Sequence, residues 1–156
     1  MTLRVSGVLR QGARSMTAQP TVLVAPRRGR STLAVLAGLV AIIVLSLGAD
    51  EVCHLLGIYP PWGVEMTGNG LFVLALSHRL VIQVFGCWLT ARLSPHSPMR
   101  HAIILGIVGF VLATVGAVAS ISAGNMGPAW YPIALVISAL PCAWLGGLLY
   151  RGKREG

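Results

Sequence analysis

The sequence predicts an all-α polytopic membrane protein, an antiparallel four-transmembrane-helix bundle, and three observations carry that prediction. Of 156 residues, 55% are hydrophobic, and only 12 basic and 4 acidic side chains are left to face water. With a mean hydropathy of +0.78, a chain of one domain's length cannot clothe a soluble surface. The apolar residues are gathered into four continuous runs, each close to the ~20 residues a helix needs to cross a ~30 Å hydrocarbon layer. The net charge of +8 lies almost wholly in the ends and connections rather than in the runs. An ordinary soluble enzyme is excluded on the first count. A nucleic-acid binder is excluded on the third, because the arginines form no stripe along a folded face. A membrane β-barrel would alternate lumen and lipid residues, which these unbroken runs do not.

The first span is expected from Thr32 to Ala49, continuing as helix to about Gly57. The second, Leu71 to Ala91, is interrupted only by His78, Arg79 and Gln83 and is the least lipid-like. The third, Ala102 to Ser122, has no ionisable group. The fourth, Trp130 to Tyr150, contains Pro132 and Pro141. Neither proline is expected to divide it, since neighbouring helices can satisfy a freed carbonyl. The spans are thus about 32–57, 71–91, 102–122 and 130–150, inside a transmembrane domain of 31–151.

Arg4, Arg10, Arg14, Arg27, Arg28 and Arg30 precede the first span, Arg92 and Arg100 flank the second connection, and Arg151, Lys153 and Arg154 follow the last. All fall on one side of a four-span arrangement, and the loops on the other side carry no Lys or Arg. By the positive-inside rule, both termini are expected in the cytoplasm of a bacterial inner membrane. Tyr59, Trp62, Trp130 and Tyr131 then sit at the outer interface, and Trp88, Trp144 and Tyr150 towards the inner half. Residues 1–30 read as a poorly ordered basic tail able to lie on anionic lipid, and 152–156 as a second cytoplasmic tail. The run from Leu33 reads as a retained anchor rather than a signal peptide. Met16 is a possible alternative start, which leaves open whether 1–15 belong to the native protein. His96 and His101, in the short connection "RLSPHSPMRH", read as loop residues rather than metal ligands.

Helices in lipid associate through small residues that let backbones approach. The third span offers Ala102, Gly106, Gly109, Ala113 and Gly116 at steps of three or four. The fourth offers Ala134, Ser138, Cys142 and Gly146 at steps of four, and these two faces form the expected seam. Ala34, Gly38 and Ala41 make a shorter patch on the first. Cys53, Cys87 and Cys142 fall at different depths and read as small packing residues.

A charge within a span is costly and faces protein or a water-filled cavity. Arg79 is therefore the most informative residue, with Gln83 and Cys87 continuing its face at steps of four. At ~1.5 Å per residue, Arg79 lies roughly 20 Å above Arg92 and Asp50 roughly 27 Å above Thr32. An arginine can span the remaining distance, so Asp50 or Glu51 is the expected counter-ion. His54 follows both acids on one helical face, whereas His78 points about 100° from Arg79. Asp50, Glu51, His54, His78, Arg79 and Gln83 form the candidate intramembrane polar cluster. It admits three readings: a structural ion-pair network, a ligand pocket or a proton relay. Of these, the structural network requires least, because a paired arginine needs no activity to account for it. Axial haem ligation would need His54 and His78 at one level, which the depths disfavour.

The stretches "LALSHRLVIQVFGCWLTARLSPHSPMRHAIILGIVGFVLATVGA" and "GPAWYPIALVISALPCAWLGGLLY" resemble a family of small four-span bacterial inner-membrane proteins over about residues 71–150. Ser77 to Arg79, Leu89 to Leu93 and the Gly127 to Pro132 turn carry the likeness. The resemblance implies topology and no reaction. The expected function is a non-catalytic subunit or accessory factor of a membrane assembly. An oligomeric transporter or channel built around Arg79 is the first alternative, and a haem- or quinone-binding protein the second. No catalytic residues, metal or resident cofactor are expected. The expected partners are membrane lipids and either a second copy or another membrane protein, with no nucleic acid.

Overall fold

A computed structural model describes residues 27–94, 96–124 and 127–155, the side chains of 27–28 and 152–155 excepted. Met16 and most of the expected basic tail lie outside the described residues. The fold is four helices: α1 (Arg27–Leu55), α2 (Asn69–Leu93), α3 (Pro98–Ala123) and α4 (Trp130–Glu155). Each contains a stretch long and apolar enough to cross a membrane.

The helices outrun the apolar runs that announced them. α1 begins at Arg27, inside the segment read as tail, and α4 continues to Glu155, through the segment read as a second tail. Backbone hydrogen bonding does not stop at the hydrocarbon boundary, and Arg, Lys and Glu are good helix formers. At its far end α1 stops at Leu55, short of the expected Gly57, for a local reason. Gly57 takes φ +69°, its N–H donates to His54 O at 3.0 Å, and the Ile58 N–H donates to Cys53 O at 3.0 Å. That is a Schellman turn, with glycine in the left-handed position it requires. Pro141 lies within α4 without dividing it.

The helices run up, down, up, down. The N-terminus of α1, the 94–97 connection and the C-terminus of α4 share one end of the bundle, here the basic end. α2, α3 and α4 pack on one another, whereas α1 packs on α2 and α3 and, among the described residues, does not meet α4. The result is a three-helix core with a fourth helix against one flank. The buried core residues are small: Cys87, Ala91, Ala102 and Ala143 surround Leu105, with Val35, Leu39, Ile42 and Tyr150 packed against them.

α1 meets its neighbours along one four-residue period of Ala34, Gly38, Ile42, Ser46 and Asp50. A Cβ on Gly38 would overlap the Thr90 hydroxyl and come within 2.9 Å of the Gly86 carbonyl, and a Cβ on Gly86 would overlap Ile42. Close backbone approach therefore fixes the register of α1 on α2 near the basic end.

The α3–α4 seam exists, but its α4 side is rotated from the expected one. Gly106 packs against Ala143 and the Ala139 carbonyl, and Gly147 against Met99 and Ala102. α4 thus presents Ala139, Ala143 and Gly147 to α3, rather than Ala134, Ser138, Cys142 and Gly146. Gly146 instead approaches the α2 backbone at the Val84 carbonyl and the Trp88 amide. The reason is that α4 packs on two helices, so it carries two neighbouring small-residue faces about 100° apart. A Cβ on Gly116 would meet nothing within 4 Å, so this glycine contributes nothing to the seam.

The outward surfaces are apolar. Val40, Val44 and Leu47 on α1, Val111, Val115 and Val118 on α3, and Ile137 and Leu149 on α4 are all exposed. In water such surfaces would drive aggregation. In a bilayer they are suited to face acyl chains or the apolar side of another membrane protein.

Candidate functional site

The α1 stripe ends on Asp50, and α2 brings His78 and Arg79 to meet it. An Arg79 terminal nitrogen donates to Asp50 Oδ2 at 2.5 Å, and His78 Nε2 lies 3.2 Å from Asp50 Oδ1. Adjacent residues on a helix diverge by about 100°, yet both reach the same carboxylate because Asp50 sits between their two directions and each takes one oxygen. Asp50 and His78 side chains are 15% and 19% exposed, and Arg79 is 35% exposed. The arginine is thus the open member of the trio.

The histidine is bonded on both nitrogens. Its Nδ1 lies 3.1 Å from the Leu74 carbonyl and its Nε2 faces the carboxylate. Both neighbours are acceptors. The carboxylate is thus held between the Arg79 guanidinium and the His78 ring.

Below the trio lies a cavity of about 290 Å³, lined by all four helices and including Ser46, Arg79, Gln83, Cys87, Gly109 and Ala113. It exists because α1 is held to α2 and α3 at Gly38 but does not touch α4. Arg79, Gln83 and Cys87 all line it, as their common spacing predicts. The Arg79 Nε is buried without a hydrogen-bond partner. Gly109, expected in the α3–α4 seam, instead faces Gln83, whose Nε2 would lie 3.5 Å from a Cβ there. Ala113 lines the cavity beside it.

The other members of the expected cluster are elsewhere. Glu51 is exposed and takes no part in the ion pairs. His54 turns into the loop after α1, where Nδ1 donates to the Pro60 carbonyl at 2.8 Å. Its ring stacks on Trp62 at 4.2 Å and meets the edge of Tyr59 at 5.4 Å. Tyr59 was legible only as an interfacial aromatic, yet it is 3% exposed. Burial, with Cys53 and Asp50 nearby, pushes its phenol up to about 12. Tyr131 of α4 also lies within electrostatic reach of Arg79 and Asp50. Nothing in the spacing announces either tyrosine as a neighbour of the trio, because both arrive by loop or helix packing.

Among the described residues, no three His, Cys, Asp or Glu side chains gather as a metal site. His101 is committed locally: the Ser94 hydroxyl donates to the His96 carbonyl at 2.8 Å, so His101 Nδ1 is the donor to Ser94 Oγ at 2.8 Å.

Fold and site together define a multi-pass, four-helix membrane bundle with a paired intramembrane arginine beside a cavity. No protein-family model, curated protein or solved structure matches this chain.

Proposed function

We propose that this chain is a non-catalytic subunit or accessory factor of a membrane assembly, seated in a bacterial inner membrane with both termini in the cytoplasm. The observation that carries the proposal is how α1 is held. Its buried stripe packs on α2 and α3, Asp50 pairs with Arg79, and its exposed apolar side, Val40, Val44 and Leu47, is left without a partner from the chain itself. The intramembrane charges neutralise one another in holding that helix, which requires no chemistry of them. The positive-inside rule supports the orientation, and membership of the four-span bacterial family belongs to the same proposal.

A photo-crosslinking residue placed in turn at Val40, Val44 and Leu47, in native membranes, tests the proposal. The expected result is one discrete protein adduct of constant mass from all three positions and none from Val111 or Val118 on α3. Labelling of lipid alone from both helices would overturn it.

One observation favours a second function, an oligomeric transporter or channel: the cavity lined by Arg79 and Gln83. Under that alternative, Arg79→Lys alters solute flux in proteoliposomes while leaving the protein folded and inserted. Equal flux from variant and parent counts against it.

A further inference from the structure

The basic end holds a second cavity, separate from the Arg79 site. It has a volume of about 440 Å³ and lies between the start of α3 and the end of α4, lined by Ser97, Pro98, Met99, Arg100, Gly147, Tyr150 and Arg151. We propose that it is a binding site for the phosphodiester headgroup of an anionic phospholipid.

The site is built by the connection before α3. Ser94 is 8% exposed, and its hydroxyl ties the His96 carbonyl to the His101 ring. The same ring nitrogen also donates to the Ser97 carbonyl at 3.1 Å. Ser97 is held at φ +50°, the only positive φ among the described non-glycine residues. A tight, internally bonded turn therefore fixes where α3 begins and where Arg100 projects. On the other wall, Gly147 keeps α4 close. A Cβ there would overlap the Met99 sulfur, so the glycine permits Met99 to form the apolar floor.

Charge selects the occupant. Arg100 and Arg151 are both exposed at the rim, and among the described side chains no carboxylate lines the cavity. The first turn of α3 carries no acidic residue and no side-chain cap, so its N-terminal dipole is not offset locally. Of the four acids, Asp50, Glu51 and Glu65 are at the opposite end, and Glu155 closes α4 one turn beyond Arg151. Arginine forks match phosphate oxygens. The ammonium group of a zwitterionic headgroup would instead meet the two guanidinium groups.

Position selects lipid over free phosphate. Tyr150 is an interfacial aromatic. One to two turns deeper on the same sides of the helices, Ile103 and Trp144 are exposed and offer a track for an acyl chain. Basic pockets between spans at this level bind anionic headgroups.

The test uses the purified full chain in nanodiscs of phosphatidylcholine doped with phosphatidylglycerol, with lipid retention read by native mass spectrometry on release. One phosphatidylglycerol should be retained in preference to phosphatidylcholine. Arg100→Gln with Arg151→Gln should reduce that preference by about 25-fold, taking each arginine at about fivefold. Both substituted side chains are exposed, and unchanged thermal unfolding in pure phosphatidylcholine verifies the fold. The control is Arg92→Gln, at the same end but stacked over Trp88 at 5.4 Å, and it should retain the preference. Three results would overturn the proposal: equal retention of the two lipids by the parent, an equal loss in the Arg92 variant, or displacement of the lipid by millimolar inorganic phosphate.

Discussion

Replacing Asp50 with Asn preserves shape and removes the one anion of the intramembrane trio. Arg79, which bonds that carboxylate at 2.5 Å beside His78 at 3.2 Å, would then lose its counter-charge. Removing one partner of a buried pair costs about 3–5 kcal/mol. Arg79 is 35% exposed, and screening of its charge lowers the expectation to about 2–3 kcal/mol. Arg79→Gln should cost less, about 1–2 kcal/mol, because His78 still bonds the carboxylate. Combining the two removes both charges at once, so the double variant should lie near the milder single one, a coupling of about 2 kcal/mol. The assay is SDS-driven unfolding in mixed micelles, followed by tryptophan fluorescence, with Glu51→Gln as the exposed control expected to be neutral. Additive effects of Asp50→Asn and Arg79→Gln would refute the assignment of the pair. So would a Glu51 variant as damaged as the Asp50 one.

Gly106→Ala puts a methyl onto Ala143 and should destabilise by about 1–3 kcal/mol, while Gly116→Ala, which meets nothing within 4 Å, should be neutral or slightly stabilising in the same unfolding assay. Thr90 is fully buried with an unpaired hydroxyl pressed on Gly38, so Thr90→Val should leave stability unchanged or raise it, whereas Gly38→Ala should separate α1 from α2, read as faster cysteine labelling at Ser46→Cys. Tyr59 holds its proton more tightly in the fold, up to about 12 against an ordinary 10. The stability tied to its neutral form is complete below pH 10 and is lost as the pH rises towards 12; Tyr59→Phe should flatten the fall in thermal stability over that window.

How much was legible from sequence differs by feature, and the reason is whether neighbours in the chain suffice. Four spans were readable because a run of apolar residues reports its solvent without reference to any other run. The line of Arg79, Gln83 and Cys87 was readable because helical period alone puts residues four apart on one face. Depth arithmetic brought Asp50 and Glu51 to the right level and could not choose between them. That choice depends on how α1 is rotated, and the rotation is set by Gly38 and Gly86 three to four turns away. The α4 seam failed for a related cause. Small residues occupy two faces of that helix, and only the presence of both α2 and α3 decides which face meets which.

His54 shows the limit most plainly. By spacing it belongs with Asp50 and Glu51, yet the Schellman turn at Gly57 folds Pro60 and Trp62 back onto it and removes it from the membrane cluster. By itself, then, the sequence determined solvent, span number and the faces each helix carries, because those follow from local periodicity and transfer free energy. Only the tertiary structure decided that Asp50 is the counter-ion, that His78 shares it, and that α1 stands away from α4 to leave a cavity. Those outcomes depend on helix rotation and close backbone approach, which no single segment contains.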